Sequence, residues 1–75
     1  MFKINKKEWN IFKNYFNTLN KNTKLTTHTL LKNTGLNIDT VRSIIIEAIM
    51  RKYLRVESRR GKPDIITKLR DMEEY

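Results

Sequence analysis

The sequence predicts a mainly α domain, three helices closed by a small β-hairpin, and three observations carry that prediction. Apolar residues recur at helical spacing at Trp9, Phe12, Phe16 and Leu19, are paired at Leu30 and Leu31, and recur again at Val41, Ile44, Ile45 and Ala48. Between the last two groups stands Thr34-Gly35-Leu36, a glycine-bearing hinge. Past the third helix the pattern changes to two-residue alternation from Tyr53 to Glu57, followed by the turn formers Gly61 and Pro63.

Seventy-five residues make one domain, and a chain of this size buries only about 60% of the surface its unfolded form exposes. Without cysteine there is no disulfide or thiolate metal site to staple the small core. Self-association into a homodimer is therefore an expectation, since an interface would add buried apolar area. The lack of cysteine also agrees with a reducing compartment.

In chain order, Phe2 and Ile4 precede a first helix over about residues 6–20, with its aromatic stripe turned to the core. Ile11 and Tyr15 sit off the stripe and are candidate dimer contacts. Residues 20–24 form a loop by their Asn, Lys and Thr content, and Leu25 is suited to a one- or two-residue strand that pairs with a later hairpin. Thr27 is the expected cap of a short second helix, about 28–33, anchored by Leu30 and Leu31 and stopped at Gly35, where a left-handed residue needs no Cβ. His28 reads as a surface side chain or phosphate neighbour. One histidine without cysteine or clustered carboxylates makes no metal site.

The third helix, about 38–52, begins at the good N-cap Asn37, and Asp39 lies in the first turn, where the helix dipole favours a carboxylate. Val41, Ile44, Ile45 and Ala48 are its buried face. Asn37, Thr40, Arg42 and Ser43 are chemically suited to base edges: arginine to guanine, asparagine to adenine, hydroxyls to either. Asp39 and Glu47 repel phosphate unless paired. Ile46 and Met50 project outward, to thymine methyls, the N-terminal segment or a second subunit.

In the hairpin, about 53–68, Leu54 and Val56 are expected to point one way and Tyr53, Arg55 and Glu57 the other. Residues 59–63 form the turn and Asp64 to Lys68 the second strand. Between residues 51 and 62, the cations Arg51, Lys52, Arg55, Arg59, Arg60 and Lys62 face the single acid Glu57. More than half of the formal net charge of +8 is concentrated there. On a protruding turn beside a polar helix face, that charge is best explained by phosphate contact. The acidic tail, 69–75, would add a helical turn through Leu69 and Met72, fray, or reach a second subunit through Met72 and Tyr75.

The order of helix, minimal strand, helix, turn, helix and hairpin resembles the winged helix-turn-helix family. Leu25, Leu30 and Leu31, Thr34-Gly35-Leu36, Asn37 to Val41 and Tyr53 to Lys68 carry the resemblance, which covers about residues 25–68. It implies a recognition helix in the major groove and a wing on the backbone or in the minor groove. Thr27, His28, Arg55, Arg59, Arg60 and Lys62 are then the backbone or wing contacts. Many members have glycine between the recognition helix and the wing. Here Lys52 takes that place, so the helix is expected to run on or end differently.

The charge attracts polyanions, with nucleic acid first, acidic protein second and an anionic membrane surface third. No apolar run approaches a transmembrane span, and no secretion signal is read at the start, so the expected location is cytoplasmic and nucleoid-associated. A P-loop, an HExxH motif, cysteine and clustered carboxylates are all missing, so neither an enzyme nor a cofactor or small-molecule ligand is expected. Abundant Asn, Lys, Ile and Thr indicate AT-rich coding sequence. The expected function is double-stranded DNA binding by a small regulator of a phage, plasmid or other mobile element. A replication-origin or recombination accessory role, or binding to an acidic protein surface, is the alternative.

Overall fold

In the computed structural model, which describes residues 4–75, the elements are α1 (Lys6–Phe16), β1 (Lys24–Leu25), α2 (Thr27–Thr34), α3 (Ile38–Met50), β2 (Leu54–Arg59) and β3 (Lys62–Lys68). Phe2 lies outside the described residues. Three helices pack on a three-stranded antiparallel sheet of order β1-β3-β2. The domain is thus mixed α and β, not mainly α. The sheet outgrows the expected hairpin because Leu25 pairs with Ile66 and Lys24 with Thr67, adding β1 beside β3. The hairpin turn also takes up only Arg60 and Gly61, so Arg59, Lys62 and Pro63 belong to the strands. Pro63 is tolerated in the middle strand because β1 stops short of it, leaving no ladder bond for its missing N–H.

The core forms where the helical stripes meet the sheet. Trp9, Phe12 and Phe16 from α1, Leu30 from α2, Val41, Ile44 and Ala48 from α3, and Leu54 and Ile66 from the hairpin are essentially sealed from solvent. Each large apolar side chain so buried contributes roughly 1.5–3 kcal/mol against leaving it in water.

The caps explain where each helix starts and stops. Asn5 caps α1 by accepting from the Lys7 amide (2.7 Å), and Asn37 caps α3 by accepting from Thr40 (2.8 Å). Thr26, one residue earlier than expected, caps α2 through a longer bond from the Thr29 amide (3.4 Å). Gly35 ends α2 in the left-handed conformation, φ 71°, its amide bonded to the Leu31 carbonyl (3.0 Å).

Two boundaries differ from the sequence expectation. α1 ends at Phe16 and not near residue 20, because two side chains compete for the end of the helix. Thr18 Oγ1 donates to the Tyr15 carbonyl (2.6 Å), and Lys68 Nζ donates to the Phe16 and Leu19 carbonyls (3.1 and 2.6 Å). Lys68 is itself buried and ion-paired with Asp71, so it acts as a C-terminal cap delivered from the sheet. α3 ends at Met50, and Lys52 adopts φ 62°. The Lys52 amide then reaches the Ile49 carbonyl and the Tyr53 amide reaches Ala48, the paired bonds of a Schellman termination. Lysine does here what glycine does more cheaply.

That left-handed residue redirects the chain, and it corrects the expected orientation of Tyr53. Tyr53 is buried, with its ring tilted against Trp9 at 6.3 Å between centroids. The two-residue alternation holds only from Leu54 to Glu57, before the register shift that precedes Arg59. The tail is not a further helical turn. Leu69 and Arg70 donate to the Tyr53 carbonyl, Met72 is buried, and Asn17 exchanges two hydrogen bonds with the Met72 backbone (3.0 and 2.8 Å).

Candidate nucleic-acid interface

Many of the basic side chains fall into two groups by what they touch, while Lys6, Lys7, Lys21, Lys24 and Lys32 are exposed elsewhere on the domain. In the first, Arg51 lies 5.1 Å from the ring centroids of both Trp9 and Tyr75. Its guanidinium also bonds Glu47 (2.8 Å) and the carbonyls of Glu74 and Tyr75 (3.3 and 3.0 Å). The hydrogen bond to Glu47 is the main reason its pKa stands above the ordinary arginine value. Arg70 covers the Tyr53 ring at 4.3 Å and donates to the Arg51 carbonyl (2.7 Å). Trp9 Nε1 donates to the Glu73 carbonyl (2.9 Å), which fixes the strap of residues 69–75 over α1. Lys13 pairs with Glu74 (2.7 Å) and holds that carboxyl below its usual range, chiefly by the hydrogen bond itself.

In the second group, Arg42, Lys52, Arg55, Arg60 and Lys62 are exposed, and none has an ion-pair partner among the described residues. Arg59 spans the hairpin turn, donating through Nε and a terminal nitrogen to the Pro63 carbonyl (3.2 and 3.0 Å). Gly61 provides the φ of 71° that the turn requires, and a one-residue register shift between Glu57 and Arg59 twists the tip. The six residues of β2 carry that tip about 17 Å from Leu54.

The four residues suited to base edges separate on α3. Arg42 is exposed and lines a groove of about 460 Å³ shared with α2 and the hairpin. Asn37 is occupied as the N-cap, Ser43 Oγ donates to the Asp39 carbonyl (2.9 Å), and Thr40 Oγ1 donates to Glu8 on α1 (3.4 Å). Thr40 and Ser43 therefore face a recess lined by Ile4, Glu8 and Asp39, apart from Arg42. Thr27 and His28 open α2 on the groove that Arg42 lines.

Of the residues considered for a dimer, Ile46 and Met50 are exposed on α3, and Ile11 is exposed on α1. Tyr15 is half-buried and packs against the core. Ile38 and Ile49 are also exposed, which periodicity centred on the buried stripe does not pick out. At about 100° per residue they fall at roughly 60° and 80° from Val41, on a flank that only the placement of the sheet could cover or leave open. The groove beside them is floored by Leu31, Ile45, Val56 and Ile66 and includes Asp64.

Among the described residues, no three of His, Cys, Asp and Glu gather as a metal site would require, and no helix is long and apolar enough to cross a membrane. Comparison with protein-family models, curated proteins and solved structures finds no match.

Proposed function

We propose that this chain is a winged helix-turn-helix binder of double-stranded DNA, acting as a homodimer and serving as a small transcriptional regulator of a phage, plasmid or other mobile element. The observation that carries the reading is the exposed set of Arg55, Arg60 and Lys62 on the hairpin and Arg42 on α3, all without ion-pair partners among the described residues. The tail acids Asp71, Glu73 and Glu74 are paired elsewhere, so the acids that offset these cations within the hairpin are Glu57 and Asp64. The order of elements, with β1 beside β3 and a hairpin following the longest helix, supports the winged arrangement. On this reading, Arg42 faces base edges and the hairpin holds the backbone or minor groove. Dimer half-sites would lie about 34–36 Å apart. A replication-origin or recombination accessory protein would use the same surface.

Titration of labelled duplexes at about 50 and about 200 mM salt tests this, because each neutralised phosphate releases counterions. Affinity should fall steeply between the two. Absent or salt-independent binding would overturn the reading. A second reading, in which the chain binds an acidic protein surface, draws on the exposed Ile46 and Met50 beside the groove. Binding of an acidic protein without any binding of duplex would favour it.

A further inference from the structure

The exposed side of α3 has an uncommon composition for a helix face turned to water. Ile38, Ile46, Ile49 and Met50 are 37%, 42%, 42% and 73% exposed. The cation set among them is Arg42, one turn from both Ile38 and Ile46 and without an ion-pair partner among the described residues. Three of the helix's side chains able to recognise bases by hydrogen bonds are engaged, Asn37 as the cap, Thr40 on Glu8 and Ser43 on the Asp39 carbonyl. Glu47, the acid of the third turn, is neutralised by Arg51. What α3 offers a partner is aliphatic surface, one guanidinium and, in its first turn, the exposed carboxylate of Asp39, a group suited to accept from a cytosine amine.

Charge selects among the occupants of such a face. A second copy would bring its own exposed cations, whereas the hairpin's Arg55, Arg60 and Lys62, which outnumber its acids Glu57 and Asp64, favour a polyanion. The major groove of a duplex admits a single helix, and α3, about 20 Å long, fits it. There each thymine presents a C5 methyl, the one apolar group on any base edge in that groove, and guanine presents the pair of acceptors that matches arginine.

We propose that α3 recognises its DNA through thymine methyl groups. Ile46 is the principal contact, with Ile38 and Met50 beside it, and Arg42 reads a single guanine. The ligand class is A·T-rich duplex interrupted by a G·C pair, read by apolar contact more than by hydrogen bonds. This rests on the DNA reading above.

The test uses one duplex, selected from a random pool by the intact protein and then synthesised with thymine or with deoxyuridine, which lacks only the methyl. Uracil substitution should weaken binding about fourfold for each methyl buried against an aliphatic side chain. Ile46→Ala should lower the thymine-to-uracil ratio by up to about fourfold while leaving the salt dependence unchanged. Arg60→Ala should lower the salt dependence and leave the ratio intact. Equal affinity for the two duplexes would overturn the proposal while leaving DNA binding standing. A ratio that survives Ile46→Ala would overturn it too, as would a dimer that Ile46→Ala dissociates without changing the ratio. Failure to select or bind any duplex at about 50 mM salt would instead remove the DNA reading, and this inference with it.

Discussion

Arg51 and Arg60 stand nine positions apart in the chain and share no kind of contact. Arg51 is stacked between two rings, paired with Glu47 and bonded to two tail carbonyls, whereas Arg60 at the hairpin tip is exposed, with no ion-pair partner among the described residues. The same division separates Lys68, buried under α1, from Lys62, exposed at the other end of β3. A charge total treats these cations alike. Cations at the tail end replace missing hydrogen-bond partners and fill space between rings, so their loss is a loss of stability. Arg55, Arg60 and Lys62 at the hairpin end pair with no acid among the described residues, so on the proposed function their loss should be felt in binding more than in folding.

The largest effect expected at the tail end is from Trp9→Ala. It removes the ring against which Tyr53, Tyr75 and Arg51 all pack and should cost about 3–5 kcal/mol, much of the stability of so small a domain, in urea unfolding. Lys68→Ala should cost about 2–4 kcal/mol in the same assay, since it strands the Phe16 and Leu19 carbonyls and leaves Asp71 without its partner. A loss under about 0.5 kcal/mol would break the comparison by placing Lys68 with the surface cations. At the junction, Lys52→Gly should stabilise the fold by about 0.5–1 kcal/mol, because glycine takes the left-handed conformation without strain. On the proposed function, removing that exposed cation should at the same time weaken DNA binding, so stability and affinity should move in opposite directions.

The smallest effect concerns Glu74, whose carboxyl Lys13 holds below its usual pKa. A carboxyl with a depressed folded-state pKa stabilises above its unfolded value, and that stability is lost as pH falls through the folded value. Thermal midpoints of the wild type should therefore drop slightly more than those of Glu74→Gln on acidification below the usual carboxylate range. Because the carboxylate is well exposed, the difference should vanish in high salt.

The parts of this molecule legible in its sequence are those set by local spacing. The buried stripe of α3, the Asn37 cap and the stop at Gly35 follow from 3.6-residue periodicity and the chemistry of single residues. The minimal strand at Leu25 is also where the sequence reading puts it. What local spacing does not carry is the work of side chains that meet from distant positions. Lys68 reads as an ordinary strand-end lysine until the end of α1, some fifty residues away, is found to need its donors. Arg51 counts toward a basic hairpin until the tail folds back over it. Alternation extended one residue too far misplaces Tyr53, across a left-handed turn that a lysine gives no reason to expect. For the interface, sequence indicates where cations are concentrated, but not that Asn37, Thr40 and Ser43 are engaged within the domain while Arg42 stays exposed.

On the proposed function, the exposed cations of the hairpin end bind the phosphates of duplex DNA. The slope of log affinity against log salt, compared for the wild type and the triple variant Arg55→Ala, Arg60→Ala, Lys62→Ala, tests it most directly. Unchanged folding stability with a slope flattened by about 2–3 is the predicted result, from about 0.9 for each phosphate that is no longer neutralised. An equally stable variant that binds duplex with the wild-type slope would contradict the claim.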